Sequence, residues 1–153
     1  MNIRHGTVND REDVERLLGE LSQATGSVPP RFGVDTYNEL IAGLRGRLLV
    51  AEEAGEMLGT YYIQPNQAGG GAHVCNCGYI VLKNSRGQGV ASLMCETSQK
   101  LAVAMGFRAM QYNLVVATNT QAIRLWKKHG FHVVGTLPRA FRSKMLGYVD
   151  ALV

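Results

Sequence analysis

The sequence predicts an α/β (α+β) domain, a mixed sheet with helices on both faces. Three observations predict it. Leu48 to Leu82 carries three apolar runs parted by turn residues, the pattern of a strand meander. The third run, ending Tyr79-Ile80-Val81-Leu82, stops at the polar turn Lys83-Asn84-Ser85-Arg86-Gly87-Gln88-Gly89, which opens directly into an amphipathic helix. Two more apolar strands then follow, each reached through a helix. A meander gives antiparallel neighbours, and helix-linked strands bring helices onto the sheet faces.

Taken in order, Ile3 to Gly6 reads as a short first strand. Asn9-Asp10 offers an N-cap, and Asp10, Glu12 and Asp13 lie where the helix dipole favours negative charge. Val14, Leu17, Leu18 and Leu21 recur at helical spacing and mark that helix's buried face. It ends at Gln23 to Gly26, and Ser27-Val28-Pro29-Pro30 is a loop. A second helix starts at Asp35 or Thr36, carries Tyr37, Leu40, Ile41 and Leu44, and stops around Gly43 to Gly46. Leu48 to Glu52 and Met57 to Ile63 form a hairpin about Ala54-Gly55. Pro65 to Gly71 is a loop tip, and Ala72 to Leu82 the next strand.

The helix from Gly87 to Met105 places Val90, Leu93, Met94, Thr97, Leu101 and Met105 on one side, and Gly106 stops it. Arg108 to Val116 alternates and then turns fully apolar, as a central strand does. Asn119 begins a short helix with Ala122, Ile123, Leu125 and Trp126 inward and Arg124, Lys127 and Lys128 outward; Gly130 ends it. Phe131 to Leu137 is a strand, Pro138 to Lys144 a basic connection, and Met145 to Leu152 the last strand.

The chain has 153 residues, 46% of them hydrophobic, which suits one domain spanning residues 1–153. No apolar stretch approaches the roughly 20 residues of a membrane span. Three cysteines, Cys75, Cys77 and Cys95, and an N-terminus without an apolar signal region point to a cytoplasmic setting without disulfides. The net charge of +4 suits either a mildly basic soluble protein or attraction for an anionic ligand. Nucleic acid is disfavoured, because no basic run with interleaved aromatics is present.

The turn at Arg86 to Ser92 is the feature with chemical meaning. A helix N-terminus offers unpaired N–H groups and a positive dipole end, and glycine lets an anion approach the backbone. The turn is not a P-loop, since no Gly-Lys-Ser/Thr follows. Nor is it a dinucleotide fingerprint: Ser92 takes the third glycine's place, and residues 106–111 hold no acid.

Two motifs carry a family resemblance. Arg86-Gly87-Gln88-Gly89-Val90-Ala91 is similar to the Arg/Gln-x-x-Gly-x-Gly/Ala coenzyme loop of the GCN5-related N-acetyltransferase superfamily. Asn119-Thr120-Gln121-Ala122-Ile123-Arg124-Leu125-Trp126-Lys127-Lys128-His129-Gly130-Phe131 resembles its Asn-x-x-Ala-x-x-Leu-Tyr-x-Lys-x-Gly-Phe segment. The element order resembles the family from end to end. The resemblance implies a mostly antiparallel sheet of six to seven strands, splayed between strands four and five. It also implies acetyl-CoA as co-substrate and direct transfer of the acetyl group to an amine.

By that likeness, the backbone from Gly87 and Gln88 through Gly89, Val90, Ala91 and Ser92 would hold the pyrophosphate, with Arg86 beside it. Val81 would pair with the pantetheine arm as an added strand does. Asn119 would bond the arm near its thiol end, next to Trp126. Lys127, Lys128 or Arg124 would meet the adenosine phosphate or simply be solvated.

The chain departs from the family at two positions. Trp126 stands where many members carry a tyrosine acid, and indole cannot deliver a proton at neutral pH. No Asp or Glu lies between His73 and Leu82, where many members carry a base. The strand carries Asn76 instead, Asn113 lies on the next, and Asn119 follows. Such amides either orient an amine substrate or satisfy neighbouring backbone groups. Tyr79 either donates a proton or packs. The candidate catalytic residues are therefore Asn76, Asn119 and Tyr79, with Asn76 and Asn113 for substrate.

His73, Cys75 and Cys77 share a strand face but lack a fourth ligand, so no metal is expected. Phe141, Arg142, Tyr148 and Asp150 line either the substrate mouth or a homodimer contact. Asn113-Leu114-Val115-Val116-Ala117-Thr118-Asn119 with Trp126 is similar to family members that acetylate amino acids and their analogues, and that resemblance implies a small-molecule amine, an amino acid or analogue, as acceptor. The alternatives are a protein N-terminus or lysine, and an acyl-CoA sensor without activity.

Overall fold

A computed structural model describes residues 1–25, 34–44 and 47–153. Strand β1 (Asn2–His5) leads through a short 3-10 turn (Val8–Asp10) into helix α1 (Arg11–Thr25), and helix α2 (Val34–Leu44) follows. Strands β2 (Leu48–Glu53), β3 (Glu56–Pro65) and β4 (Val74–Val81) are the meander. Helix α3 (Val90–Ala104), strands β5 (Ala109–Met110) and β6 (Val115–Val116), helix α4 (Thr120–Lys128), and strands β7 (Thr136–Ser143) and β8 (Gly147–Leu152) complete the chain. The expected loop at Ser27 to Pro30, the Gly46 stop and the side chains of Leu40 and Leu44 lie outside what is described.

The strands form a five-stranded sheet, β1-β2-β3-β4-β5, and a three-stranded sheet, β6-β8-β7. Among the described residues, β4 and β5 run parallel and the other strand pairs are antiparallel. Strand β2 shows the alternation that builds both layers. Leu49 and Ala51 face α3 and pack with Tyr61, Ile63, Cys75, Cys77, Val90 and Met94. Val50 between them faces the other way, into Val14, Leu17, Tyr37 and Met57. Helices therefore cover both faces of the large sheet.

Helix α1 starts at Arg11, where the sequence suggests, but the 3-10 turn before it carries the helical run back three residues. Thr7, not Asn9, is the cap, and Asp10 closes a capping box with it. Asp10 is buried because Arg4 grips it with two hydrogen bonds of 2.8 and 2.9 Å. Leu21, expected in the buried stripe, is exposed. In α3 the buried stripe is Val90, Met94, Cys95, Ser98 and Ala102, whereas Met105 is exposed.

The expected strand Arg108 to Val116 is broken in two. Its start pairs with β4 and its end with β8. Residues 111–114 cross between the two sheets, and no single ladder can follow both neighbours.

The C-terminal hairpin is also shifted. Its first strand is Thr136–Ser143 rather than Phe131 to Leu137, so the expected basic connection is itself strand. Pro138 suggested a break. It is tolerated because β7 is an edge strand, with a bulge between Leu137 and Phe141 where Arg139 adopts φ +54°. Among the described residues no helix is long and apolar enough to cross a membrane.

Candidate functional site

Strand β4 runs through a 3-10 turn (Lys83–Ser85) to the start of α3. Gly87 and Gly89 have φ of +77° and +84°, a left-handed backbone that other residues avoid. Nothing lies within 4 Å of where a Cβ would sit on either, so the turn faces open space. Gly89 is the N-cap of α3, and no side chain caps this end. The first-turn N–H groups, from Val90 to Ser92, are thus without a side-chain acceptor, and the helix dipole adds its positive end. Gln88 donates to the Asn84 carbonyl at 2.9 Å and closes the turn on itself. Glu20 of α1 accepts from the Lys83 N–H at 2.9 Å and ties the turn to the opposite layer. This arrangement fits a diphosphate.

Beside the turn, the sheet opens. The β4–β5 ladder holds only Val74 with Ala109 and Cys75 with Met110, and Gln111 N–H to the Cys75 carbonyl at 2.8 Å closes it. Beyond that point β4 continues alone on this side. Leu82 N–H bonds the Leu58 carbonyl on β3, and Asn66 N–H bonds the Val74 carbonyl. By alternation, even-numbered β4 residues direct their backbone groups at β3, and Cys77, Tyr79 and Val81 direct theirs into the gap. An extended amide chain could add there as a strand.

On the α3 side, the gap is walled by aromatic rings. Tyr79 and Trp126 have ring centroids 5.1 Å apart, Tyr112 and Trp126 4.8 Å, and Tyr112 and Phe131 4.4 Å. The hydroxyls form a directed chain. Ser98 donates to the Cys95 carbonyl at 2.8 Å, so the 2.6 Å contact between Tyr79 and Ser98 is a donation by Tyr79. Tyr112 donates to Tyr79 at 3.1 Å. Tyr79 also reaches the Met110 sulfur at 3.7 Å, so each hydroxyl proton has an acceptor inside the protein. Burial pushes the phenols of Tyr79 and Tyr112 well above their ordinary value. Tyr79 in this arrangement packs and holds its proton.

The three asparagines are engaged separately, and no hydrogen bond joins them among the described residues. Asn76 is half-buried on β4, on the face shared with Ile80, toward α1 and α2. Asn113 is exposed and accepts from Gln111 at 3.3 Å. Asn119 caps α4: its Oδ1 accepts from the Ala122 N–H at 3.2 Å, which leaves its NH2 group as a donor. Arg86, Arg124, Lys127 and Lys128 are exposed.

Cys75, Cys77 and Cys95 are free and buried. The bond to Cys75 and burial push the Cys77 thiol up, burial raises that of Cys95, and the bond to Cys77 lowers that of Cys75, which is fully buried. His73 is exposed and bonds the Gly70 carbonyl. An apolar cavity of about 250 Å³ lies beneath α4, lined by Met110, Tyr112, Trp126, Phe131 and Leu152 among others, and none of residues 86–92 lines it.

Sequence reasoning missed Ser98, Tyr112 and His129. Ser98 is polar and was passed over in an apolar stripe. Tyr112 carried no motif. His129 lies inside the second motif, at a position the motif leaves free, and its side chain bonds Ser92 in the α3 turn.

Residues 15–131 match the acetyltransferase (GNAT) family. The chain is 34% identical to a GCN5-related N-acetyltransferase from Kribbella flavida, with a TM-score of 0.88 over 99% of this chain and 94% of that one. It is 38% identical over 98 residues to the N-acetyltransferase aca1 of Schizosaccharomyces pombe, covering 63% of this chain. The match spans about half (47%) of that relative's length. A phosphinothricin acetyltransferase from Sinorhizobium meliloti, solved in complex with AcCoA, shares the fold with a TM-score of 0.85 at 18% identity, over 99% of this chain and 84% of that one.

Proposed function

The chain belongs to the acetyltransferase (GNAT) family, and we propose that it moves the acetyl group of acetyl-CoA directly to the amine of a small molecule, an amino acid or an analogue of one. The observation that carries this reading is the open, uncapped turn at the start of α3, set beside the unpaired edge of β4.

In this reading the N–H groups from Gln88 to Ser92 hold the pyrophosphate, and Arg86 adds a charge from the rim. The backbone of Val81, with Tyr79 and Cys77 before it, takes the pantetheine amides as a strand would. The NH2 group of Asn119 donates to the arm near its thiol end, and Trp126 forms the apolar wall beside it. When bound, acetyl-CoA supplies the activated acyl group.

The amine must lose its proton before it attacks, because its free pKa is often well above 7. With no carboxylate on β4, that proton goes to water. Asn76, on the sheet face turned to α1 and α2, and the exposed Asn113 orient the acceptor by neutral hydrogen bonds. Amides of this kind bind an amine and a carboxylate together without a charge of their own, which suits an amino acid. The departing thiolate takes its proton from solvent, since Trp126 has none to give and Tyr79 directs its own to Ser98.

A thiol-release assay with acetyl-CoA over free amino acids, amino-acid analogues, polyamines and short peptides tests the proposal. Turnover confined to the first two groups is the expected result. Turnover on peptides alone would replace the small-molecule acceptor with a protein one. Coenzyme binding without turnover on any amine would leave a sensor.

A further inference from the structure

We infer that His129 is a positioning residue for the coenzyme turn, acting through Ser92; this rests on reading the α3 turn as the coenzyme site. His129 is the C-cap of α4, and its side chain is only 9% exposed. It meets three residues spaced along one face of α3. Its Nε2 lies 3.0 Å from the Ser92 hydroxyl, and its Nδ1 lies 3.8 Å from Glu96. Its backbone carbonyl accepts from the Gln99 side chain at 3.2 Å. The residues at 92, 96 and 99 follow helical spacing, so the ring and backbone of one residue together span two turns of α3.

The physical consequence concerns Ser92. A serine in the first turn of a helix has a free N–H and a hydroxyl able to compete for nearby backbone groups. Here the imidazole holds the hydroxyl on the side facing α4. The Ser92 N–H and those before it are left to a ligand. The bond also joins two parts of the site. α3 begins at the phosphate-binding turn, and α4 carries Asn119 and Trp126 at the gap. His129 fixes the first turn of one against the end of the other, with Gln99 as a second tie that does not touch the turn.

The test compares coenzyme A affinity by calorimetry, and KM and kcat with acetyl-CoA, for the full chain and five variants. His129→Ala and Ser92→Ala are each expected to raise the dissociation constant and KM about tenfold, the effect of losing one hydrogen bond, and to leave kcat within about twofold. The double variant should be no worse than either single one, because both remove the same bond. His129→Gln, whose amide can reach the same hydroxyl, should restore affinity to within about threefold. Gln99→Ala should lower Tm without changing affinity.

Additive losses, a fall in kcat at unchanged KM, or a Gln99→Ala variant as weak in binding as His129→Ala would each reduce His129 to a packing residue. If His129→Ala does not fold, Ser92→Ala decides alone, and wild-type affinity in it overturns the inference. Failure of the unaltered chain to bind coenzyme A would instead overturn the reading of the turn.

Discussion

The hydroxyl of Tyr112 donates to that of Tyr79 at 3.1 Å, and this bond fixes where the Tyr79 proton goes. Tyr79 accepts from one side and donates to Ser98 on the other. A residue placed to release a proton to a ligand would not have it directed into a helix. Tyr79→Phe is therefore expected to keep kcat within about threefold and to lower stability by about 1–3 kcal/mol, from the hydroxyls left unpaired. Steady-state kinetics and thermal unfolding of the same preparation check this. A hundredfold loss of kcat in a folded variant would make Tyr79 the acid after all.

At the turn, Gly89→Glu should raise the dissociation constant for acetyl-CoA at least about a hundredfold. It forces a side chain onto φ +84° and places a carboxylate where a diphosphate would lie. Calorimetric titration, with circular dichroism to establish folding, measures it. Unchanged affinity would move the coenzyme elsewhere.

Tyr61 on β3 is 1% exposed, stacks on Tyr79 at 5.5 Å, and its hydroxyl has no hydrogen-bond partner among the described residues. Burial pushes this phenol above its ordinary value. An unsatisfied buried hydroxyl costs roughly 1–3 kcal/mol. Tyr61→Phe removes the polar atom and keeps the ring, so it should be neutral or raise Tm by about 2–4 °C. A drop in Tm would reveal a partner for the hydroxyl, such as a bound water.

The Arg4–Asp10 pair gives the chain an acid limb. The hydrogen bond from Arg4 holds the Asp10 carboxyl below its ordinary 3.8, against the opposing effect of burial. A group whose pKa is lower when folded stabilises fully above its unfolded value. That stabilisation is lost as pH falls through the folded value. Asp10→Asn should cost about 1–3 kcal/mol at pH 7, and the difference from the unaltered chain should shrink below pH ~4. Chemical denaturation at pH 7 and near pH 3 measures both. An equal difference at the two values would mean that the charge of Asp10 is not what matters.

Much of the site was legible locally. The turn at Arg86 to Ser92, the start of α4 at Asn119 and the meander are set by neighbours within a few residues. Glycine spacing, a capping side chain and strand alternation express them directly in sequence. Trp126 was legible as a departure, because its motif position is defined by the residues around it.

What only the tertiary structure decided involves partners far apart in the chain. Strand 108–116 is broken because β4 claims one end and β8 the other, 35 to 37 residues on, and no local periodicity carries that competition. Pro138 sits in a strand because β7 happens to lie at an edge. Ser98 is buried because Tyr79, 19 residues away, supplies its hydrogen bond. His129 acquires a role because the end of α4 comes to rest on the first turns of α3, 37 residues earlier. The sequence by itself determined the glycine turn at the start of α3, which we propose holds an anion. Which hydroxyl protons are available, and what holds the turn in place, depend on hydrogen-bond partners that only folding brings within reach.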